Sequence, residues 1–415
     1  MTRFVCSFGG ASERDAEPPG RATDTGSGAD GPGIADADRA ADLGGKGASL
    51  ARLARAGLPV PPGYVVTTAA FAEAMTAVDP SGALRASVEA LPPGDVRAIA
   101  RAAVRFRARI TAAPLPGGVA SVIAASYRDL GGGPGAAVAV RSSATMEDSA
   151  AASFAGLQDT YLGVYGADAV LDAVRRCWAS LYNDESVAYR RRLGMGEHDL
   201  AMAVVVQRMV HPRAAGVIFT RSPVTGDRSV VAIEGTWGLG SALVAGDVTP
   251  DSFTVSKVTG EITGRRVAGK LRMHAPGGVC PMPAHLQHAP CLSDGEIRAL
   301  ARLACRVEDH YGAPQDIEWA LLGDDVTGIQ DSPCAPCAPE SPNTSSAPAG
   351  TKAPADASAP ADASAPADAP APAADRIVLL QSRPETVWAA REPAPVASPK
   401  PRACDHVLAL FGKTP

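Results

Sequence analysis

Apolar and polar positions follow the period of amphipathic helices in the first half of the chain and the period of strands in the second. An apolar face with Leu50 and Leu53 predicts a helix that Gly57 ends, and Tyr64 begins a short strand. Further helices are predicted at 68–78, 95–112, 118–130 and 168–183. A short helix follows to about 192, and a strand is predicted at 136–141.

Strands predominate after Gly194. The one helix predicted there, at 294–310, has a capping box of Ser293 and Glu296 at its start and Gly312 past its end. The predicted strands are 201–209, 216–220, 229–234, 252–256, 315–322 and 326–330. This order indicates an α+β chain with two lobes.

Two long segments lack periodicity and are predicted to be disordered. Residues 1–38 are rich in Gly, Ala, Asp and Pro, and residues 331–374 repeat Ala-Pro-Ala-Asp-Ala-Ser without a large apolar side chain. Such compositions cannot bury a core. The predicted organisation is a leader at 1–38, a first lobe at 39–198, a second lobe at 199–330 plus 375–390, an insertion at 331–374 and a flexible tail at 391–415.

Composition narrows the class of protein. The chain has 415 residues, 46% of them hydrophobic, and a net charge of -5, so it lacks the basic excess of a nucleic-acid binder. It contains no run of about 18 apolar residues that could span a membrane, and no secretory signal at its start. The scattered cysteines suit a reduced compartment. We therefore expect a soluble cytoplasmic protein that binds neither nucleic acid nor membrane.

Lys46 stands among glycines at the start of a predicted helix. Only six of the 39 basic residues are Lys, and Lys46 is the only one in the first 256 residues. Glycines allow close backbone approach, a helix N-terminus favours anions and an ammonium adds a point charge for phosphate. The pattern matches neither the Walker motif nor the dinucleotide fingerprint. A solvated lysine beside a turn is the alternative.

Arg141 ends a buried strand and is followed by the hydroxyls of Ser142, Ser143 and Thr145. A guanidinium surrounded by several O–H and N–H donors suits a polyphosphate. The alternative is an arginine paired with a nearby carboxylate such as Glu147.

Asp316 and Glu318 lie two residues apart on a predicted strand, so their side chains share a face. Oxygen ligands in this arrangement suit Mg²⁺ held between carboxylate and phosphate oxygens. Gln381 can add a neutral oxygen, and Arg383 can reach the same face. A solvated acidic strand is the alternative.

Two other places could contact a nucleotide. The apolar strand 205–210 runs into a hinge whose backbone groups could read an adenine edge, with Gln207 near it, although an ordinary core strand has the same pattern. Glu234 places one carboxylate before a glycine-rich turn.

Eight motifs occur in an order that resembles a known family. They are GGKGASL at 44–50, PVPPG at 59–63, VRSSA at 140–144 with ED at 147–148, SFAG at 153–156, QRM at 207–209, WGLG at 237–240, DIEW at 316–319 and QSRP at 381–384. Together they resemble the N-terminal ATP-binding domain of phosphoenolpyruvate synthase, pyruvate phosphate dikinase and rifampicin phosphotransferase, over about 40–330 plus 376–388.

The resemblance implies a two-lobed ATP-grasp-like fold that holds ATP and Mg²⁺ between the lobes. By position, Lys46, Arg141 and Arg383 would be the catalytic groups that contact the phosphates, and Gln207 and Met209 would hold adenine. The remaining implied positions are Thr145, Gly156, Glu234 and Asp316 for the nucleotide, and Glu318 and Gln381 for the metal.

In the resembled family, the terminal phosphates of ATP pass to a histidine on a separate swivelling domain, and AMP is released. No segment of this sequence resembles the one that carries this histidine. We therefore expect an ATP-dependent phosphotransferase of the phosphoenolpyruvate synthase type whose acceptor histidine belongs to a partner in trans. A non-catalytic ATP-binding regulatory module and an inactive remnant are the alternatives.

Glu318 and Gln381 are 63 positions apart, where the family has a short hairpin. Lengthening a loop to this extent costs only about 2 kcal/mol of closure entropy. We therefore expect strand 376–381 to pair with 315–322 in spite of the insertion.

Overall fold

The structure is a computed structural model of mixed helix and antiparallel strand. It describes residues 3–9, 40–130, 135–144, 148–149, 152–153, 159–276, 278–323 and 373–388. The helices are α1 (Ala40–Arg55), α2 (Thr68–Val78), α3 (Ala83–Glu89), α4 (Val96–Ala112), α5 (Gly117–Asp129), α6 (Ala167–Ser180), α7 (Asp184–Leu193), α8 (Ser241–Val244) and α9 (Asp294–Tyr311).

The strands group into two large sheets and two short hairpins. They are β1 (Val5–Phe8), β2 (Gly63–Val66), β3 (Val138–Ala144), β4 (Asp148–Ser149), β5 (Ala152–Ser153), β6 (Thr160–Val164), β7 (Met202–Arg208), β8 (Pro212–Phe219), β9 (Val230–Trp237), β10 (Asp251–Ser256), β11 (Ile262–Arg266), β12 (Arg272–Ala275), β13 (Gly278–Pro281), β14 (Gln315–Leu322) and β15 (Ile377–Pro384). Among the described residues, the first sheet has the order β1-β2-β7-β3-β6 and the second has the order β11-β10-β9-β8-β14-β15.

The first sheet is covered on both faces. Val204 and Val206 of β7 belong to the core formed with helices α2 and α4 to α7, whereas Ala203 and Val205 belong to a smaller core with α1. A strand buried on both faces is continuously apolar rather than alternating. This explains the run Val204-Val205-Val206 at the centre of the sheet.

The second sheet packs one face against α9. Its core contains Ile297 and Leu300 of the helix together with Ile218, Ile233 and Ile317 of three neighbouring strands. The capping box that starts α9 is confirmed: Ser293 Oγ accepts from the backbone N–H of Glu296, and the Glu296 carboxylate accepts from that of Ser293. Gly312 ends the helix in the left-handed conformation.

The predicted pairing across the insertion is confirmed. β15 pairs antiparallel with β14, with a register shift between Glu318 and Trp319, and Glu318 lies directly opposite Gln381. The strand extends to Pro384, three residues beyond the predicted end.

The prediction that residues 1–38 are disordered is wrong for Val5–Phe8, which form β1. Phe8 is 3% exposed and β1 pairs with β2, so a short apolar segment gains both a buried ring and a hydrogen-bonded ladder. A four-residue strand is too short to give a periodic signal. Residues 10–39 lie outside the described residues, as do the predicted strand 326–330, nearly all of the insertion and the tail.

Strand β7 lies in the first sheet, where it pairs with β2 and β3. The second lobe was predicted to begin at 199, so β7 falls inside its predicted bounds. The chain therefore enters the second sheet only after Arg208. Cys280 is disulfide-bonded, whereas Cys6, Cys177, Cys291 and Cys305 are free thiols.

Among the described residues, no single helix is long and apolar enough to cross a membrane. Helices α4 and α5 satisfy the length and composition criteria only when taken together, across a bend of 71°.

Shortening the insertion tests the β14–β15 pairing. A Δ333–373 variant should keep the ladder and its affinity for MgATP, and should gain about 1 kcal/mol of stability because a shorter loop costs less entropy to close. Hydrogen exchange of peptides covering 315–322 and 377–384, together with urea unfolding, measures both effects. Loss of exchange protection in either peptide would contradict the prediction.

Candidate active site

A cavity of about 480 Å³ is lined by residues of both sheets and of α1. Residues at opposite ends of the sequence meet there, since Lys46 lies on α1 and Gln381 on β15. Its polar and charged lining includes Lys46, Arg141, Thr160, Gln207, Ser241, Glu318, Gln381 and Arg383. Lys46 and Arg141, from the first half of the chain, thus line the same cavity as Glu318 and Gln381, which were predicted to bind a metal.

A kink in α1 sets the position of Lys46. Gly44 has φ 67° and ψ 171°, so the helical turn before it is broken and the helix begins again just before Lys46. A β-carbon at Gly44 would lie within 2.0 Å of the Ser143 carbonyl oxygen, so only glycine allows α1 to approach β3 this closely. Lys46 therefore lies at the N-terminus of the continuing helix, where anions are favoured.

The hydroxyls of Ser142 and Ser143 form hydrogen bonds within the protein. Ser143 Oγ donates to the Leu43 carbonyl and accepts from the Gly47 N–H, so it joins the two halves of the α1 kink. Ser142 Oγ donates to the Asp159 carbonyl. Ser142 also lines the cavity, and the expectation that these hydroxyls surround a polyphosphate stays a prediction. Thr145 and Gly156 lie outside the described residues.

Arg141 connects the two sheets. Its Nη1 lies 3.6 Å from Glu318 Oε2 and donates to the Leu380 carbonyl of β15 at 3.4 Å. Its Nε is buried and has no hydrogen-bond partner within the described part of the chain. Thr160, which sequence reasoning missed, pairs opposite Arg141 on β6 and lines the same cavity.

One row of the second sheet carries the candidate metal ligands. Glu234, Val217, Glu318 and Gln381 are successive partners across β9, β8, β14 and β15. Directly opposite residues project to the same face, and adjacent strands are about 4.8 Å apart. Glu318 and Gln381 are therefore neighbours, whereas Glu234 lies two strands from Glu318, at roughly 10 Å, and outside the cavity lining.

The next row places Asp316 opposite Arg383. Arg383 Nε lies 3.6 Å from Asp316 Oδ2, and Arg383 lines the cavity while Asp316 does not. The other carboxylate oxygen, Asp316 Oδ1, is buried without a hydrogen-bond partner among the described residues. Burial of this carboxyl raises its pKa to about 6; Arg383 opposes the rise and Glu385 adds to it.

The opposite part of the cavity is mostly apolar. Met209, Val210, Leu239 and Val244 contribute to it. The Gln207 side chain is engaged elsewhere, because its Nε2 donates to the Pro61 carbonyl at 3.1 Å and the residue is buried.

No group of three or more His, Cys, Asp or Glu side chains that could hold a metal ion occurs in the described ranges. A divalent cation at Glu318 and Gln381 would thus need oxygens from its ligand. The cationic end, the oxygen donors and the apolar end together define a site for a polyanion with an apolar head group.

The chain belongs to the family described as pyruvate phosphate dikinase, AMP/ATP-binding domain, which matches residues 40–342. The predicted family membership is therefore confirmed.

Its curated relatives are longer proteins. A probable phosphoenolpyruvate synthase of Methanothermobacter thermautotrophicus is 43% identical over 297 residues, which are 70% of this chain and 43% of that protein. A rifampicin phosphotransferase of a Streptomyces species is 44% identical over 304 residues, 72% of this chain and 35% of that protein. A rifampicin phosphotransferase of Bacillus subtilis is 38% identical over 297 residues, 70% of this chain and 34% of that protein. The chain thus spans less than half the length of these relatives.

The raised pKa of Asp316 makes the stability of the fold depend on pH. Between pH 4 and 6 the folded state keeps a proton that the unfolded state releases, so stability from this group falls as pH rises through that window. Asp316→Asn should remove this decrease in the free energy of unfolding. Urea unfolding of wild type and variant from pH 4 to 7 measures it: the free energy of unfolding of the variant, relative to that of wild type, should rise with pH. Parallel curves over the whole range would contradict the assignment.

Proposed function

We propose that this chain is the MgATP-binding component of a phosphotransferase, passing phosphoryl or pyrophosphoryl to a histidine on another domain or chain. One observation carries the proposal: Lys46 and Arg141 share a cavity with Glu318 and Gln381, although these residues come from opposite ends of the sequence. Membership of the AMP/ATP-binding family supports the nucleotide as the ligand.

We further propose that the two sheets correspond to the two lobes of an ATP-grasp-like fold. In this reading, the first lobe ends after β7 and the second contains β8 to β11, α9, β14 and β15. The shared cavity between them supports this division, because ATP bound there would contact both.

The charges favour the triphosphate at one end of the cavity. Lys46 and Arg141 supply positive charge, and the buried, unpartnered Nε of Arg141 is a donor that a phosphate oxygen would satisfy. Arg383 adds a second guanidinium on β15. Without nucleotide, Arg141 lies near Glu318; on binding, Arg141 would turn to phosphate and leave Glu318 available to a cation.

The oxygen donors fit Mg²⁺. Glu318 and Gln381 are direct neighbours on adjacent strands, and Asp316 Oδ1 one row away is a buried acceptor without a partner in the described residues. Mg²⁺ is usually held by one or two protein oxygens together with phosphates and water. When bound, it supplies charge neutralisation of the phosphates; the chain's part is to orient them.

Purine recognition is proposed for the apolar end. The N–H groups of Arg208 and Met209 donate to the Pro62 and Ala137 carbonyls. What the segment could offer is therefore its carbonyl groups and the backbone after Met209, beside the apolar side chains of Val210 and Leu239. The hydrogen bond from Gln207 to the Pro61 carbonyl fixes this segment against β2. An adenine would therefore be recognised mainly by backbone and by apolar contact.

The proposed transfer is an in-line displacement. An imidazole nitrogen of the acceptor histidine bonds to phosphorus, and the bridging P–O bond breaks. The leaving group is ADP when phosphoryl moves and AMP when pyrophosphoryl moves. Alignment and charge neutralisation are most of what such a step requires.

Titration calorimetry with MgATP tests the site. Lys46→Ala, Arg141→Ala and Glu318→Ala should each weaken binding by about 1.5–3 kcal/mol, roughly 10- to 100-fold in Kd, since each removes a charged contact. Arg97→Ala, at an exposed position on α4, is the matched control and should bind as wild type. A wild-type chain that does not bind MgATP would contradict the proposal.

The transfer is tested with ATP labelled in its β or γ phosphate and the histidine-bearing domain of a relative. Label on histidine, with release of AMP or ADP, supports the phosphotransferase. Tight binding without label on any such domain favours the regulatory module instead.

A further inference from the structure

A polar trio lies in the wall of the cavity, outside the groups assigned above. Ser241 Oγ is 2.9 Å from His274 Nδ1, and His274 Nε2 is 2.9 Å from Asp247 Oδ2. Ser241 lines the cavity, the His274 side chain is 15% exposed and Asp247 is half-exposed. The trio therefore runs from the cavity surface outward to solvent.

The backbone fixes the trio at both ends of the short helix α8. The Leu239 N–H donates to the His274 carbonyl, and the Asp247 N–H donates to the Ala242 carbonyl. His274 is thus tied to the segment before α8, and Asp247 closes the turn after it. Ser241 between them has a defined orientation, which is the requirement for a specific ligand contact.

Hydrogen-bond chemistry limits what Ser241 can bind. Asp247 only accepts, so in the tautomer that suits it His274 donates from Nε2 and accepts at Nδ1. In that arrangement the Ser241 hydroxyl donates to Nδ1. Its lone pairs are left for a donor in the cavity, and a hydroxyl of the ligand is such a donor.

The topology places Ser241 between the two ends of the cavity. Gly240 lies beside β8, since a β-carbon at this position would be 3.5 Å from Ala215 Cβ and 3.9 Å from the Gly216 nitrogen. That strand runs from Pro212, just after Met209 at the apolar end, to Val217, which pairs with Glu318 at the charged end. A nucleotide with its base and triphosphate at these ends has its sugar beside Ser241.

We infer that Ser241 binds a sugar hydroxyl of the nucleotide, that His274 and Asp247 are its positioning residues, and that this contact makes the site prefer ribonucleotides. The inference rests on the proposed function, because it needs MgATP in this cavity. It adds a specificity-determining side chain to a site whose other polar contacts go to phosphate and metal.

The experiment compares the affinities of ATP, 2′-deoxy-ATP and 3′-deoxy-ATP, each with Mg²⁺, by calorimetry. Wild type should bind ATP about 3- to 10-fold more tightly than at least one deoxy analogue, the range expected for one neutral hydrogen bond. Ser241→Ala should reduce that ratio to about 1. Ser241→Thr, which keeps the hydroxyl, should retain it, and His274→Leu should lower it because the hydroxyl loses its acceptor.

Ser229→Ala is the matched control. Its hydroxyl also donates to a side-chain acceptor, the Asp227 carboxylate, but Ser229 lies outside the cavity lining, so the wild-type ratio should persist. Since the ratio compares ligands on one protein, a general loss of stability does not imitate the effect.

The outcomes separate this inference from the proposed function. Wild type that binds all three nucleotides equally, or Ser241→Ala that keeps the wild-type ratio, overturns the sugar contact and leaves ATP binding intact. Wild type that binds none of the three overturns the proposed function, and the sugar contact with it.

Discussion

The arrangement of the cavity depends on helix α1, which packs against both sheets at once. Leu50 belongs to the core that α1 shares with the first sheet, and Leu53 to the core of the second sheet. On the same helix, Ser49 Oγ donates to the Ser382 carbonyl at 2.6 Å and contacts the Tyr311 hydroxyl at 2.9 Å. Lys46 lies one turn before Ser49 on the same helix, so its position is fixed relative to the strand that carries Gln381.

The site places opposite charges close together before any ligand is present. Arg141 and Glu318 lie 3.6 Å apart, as do Arg383 and Asp316. Partly buried charges are costly without partners, and each pair offsets part of that cost. A ligand that carries both phosphate and a metal ion can replace each partner in turn, so the same residues can serve the apo and the bound states.

Local patterns in the sequence predicted the parts of the fold that depend on local physics. The bounds of α2 and the capping box of α9 follow from helical periodicity and end signals, and both are confirmed. The pairing of β14 with β15 needed the resemblance as well, since nothing local joins strands so far apart. The register that puts Glu318 opposite Gln381, beside a register shift at Trp319, is seen only in the structure.

What the sequence could not supply depends on long-range pairing. The assignment of β7 to the first sheet follows from partners that lie far away in the chain, and its apolar run is equally typical of a strand in either sheet. Thr160 has no motif, and only its register opposite Arg141 brings it to the cavity. The Ser143 hydroxyl forms its hydrogen bonds across the kink in α1, and no local sequence pattern predicts that kink.

A crystal structure with Mg²⁺ and a non-hydrolysable ATP analogue tests the central claim most directly. The account predicts that Lys46 and Arg141 contact the triphosphate while Glu318 and Gln381 hold the metal, with the Arg141–Glu318 pair opened. An analogue whose phosphates contact only one sheet, or lie in another cavity while that pair remains at 3.6 Å, would contradict it.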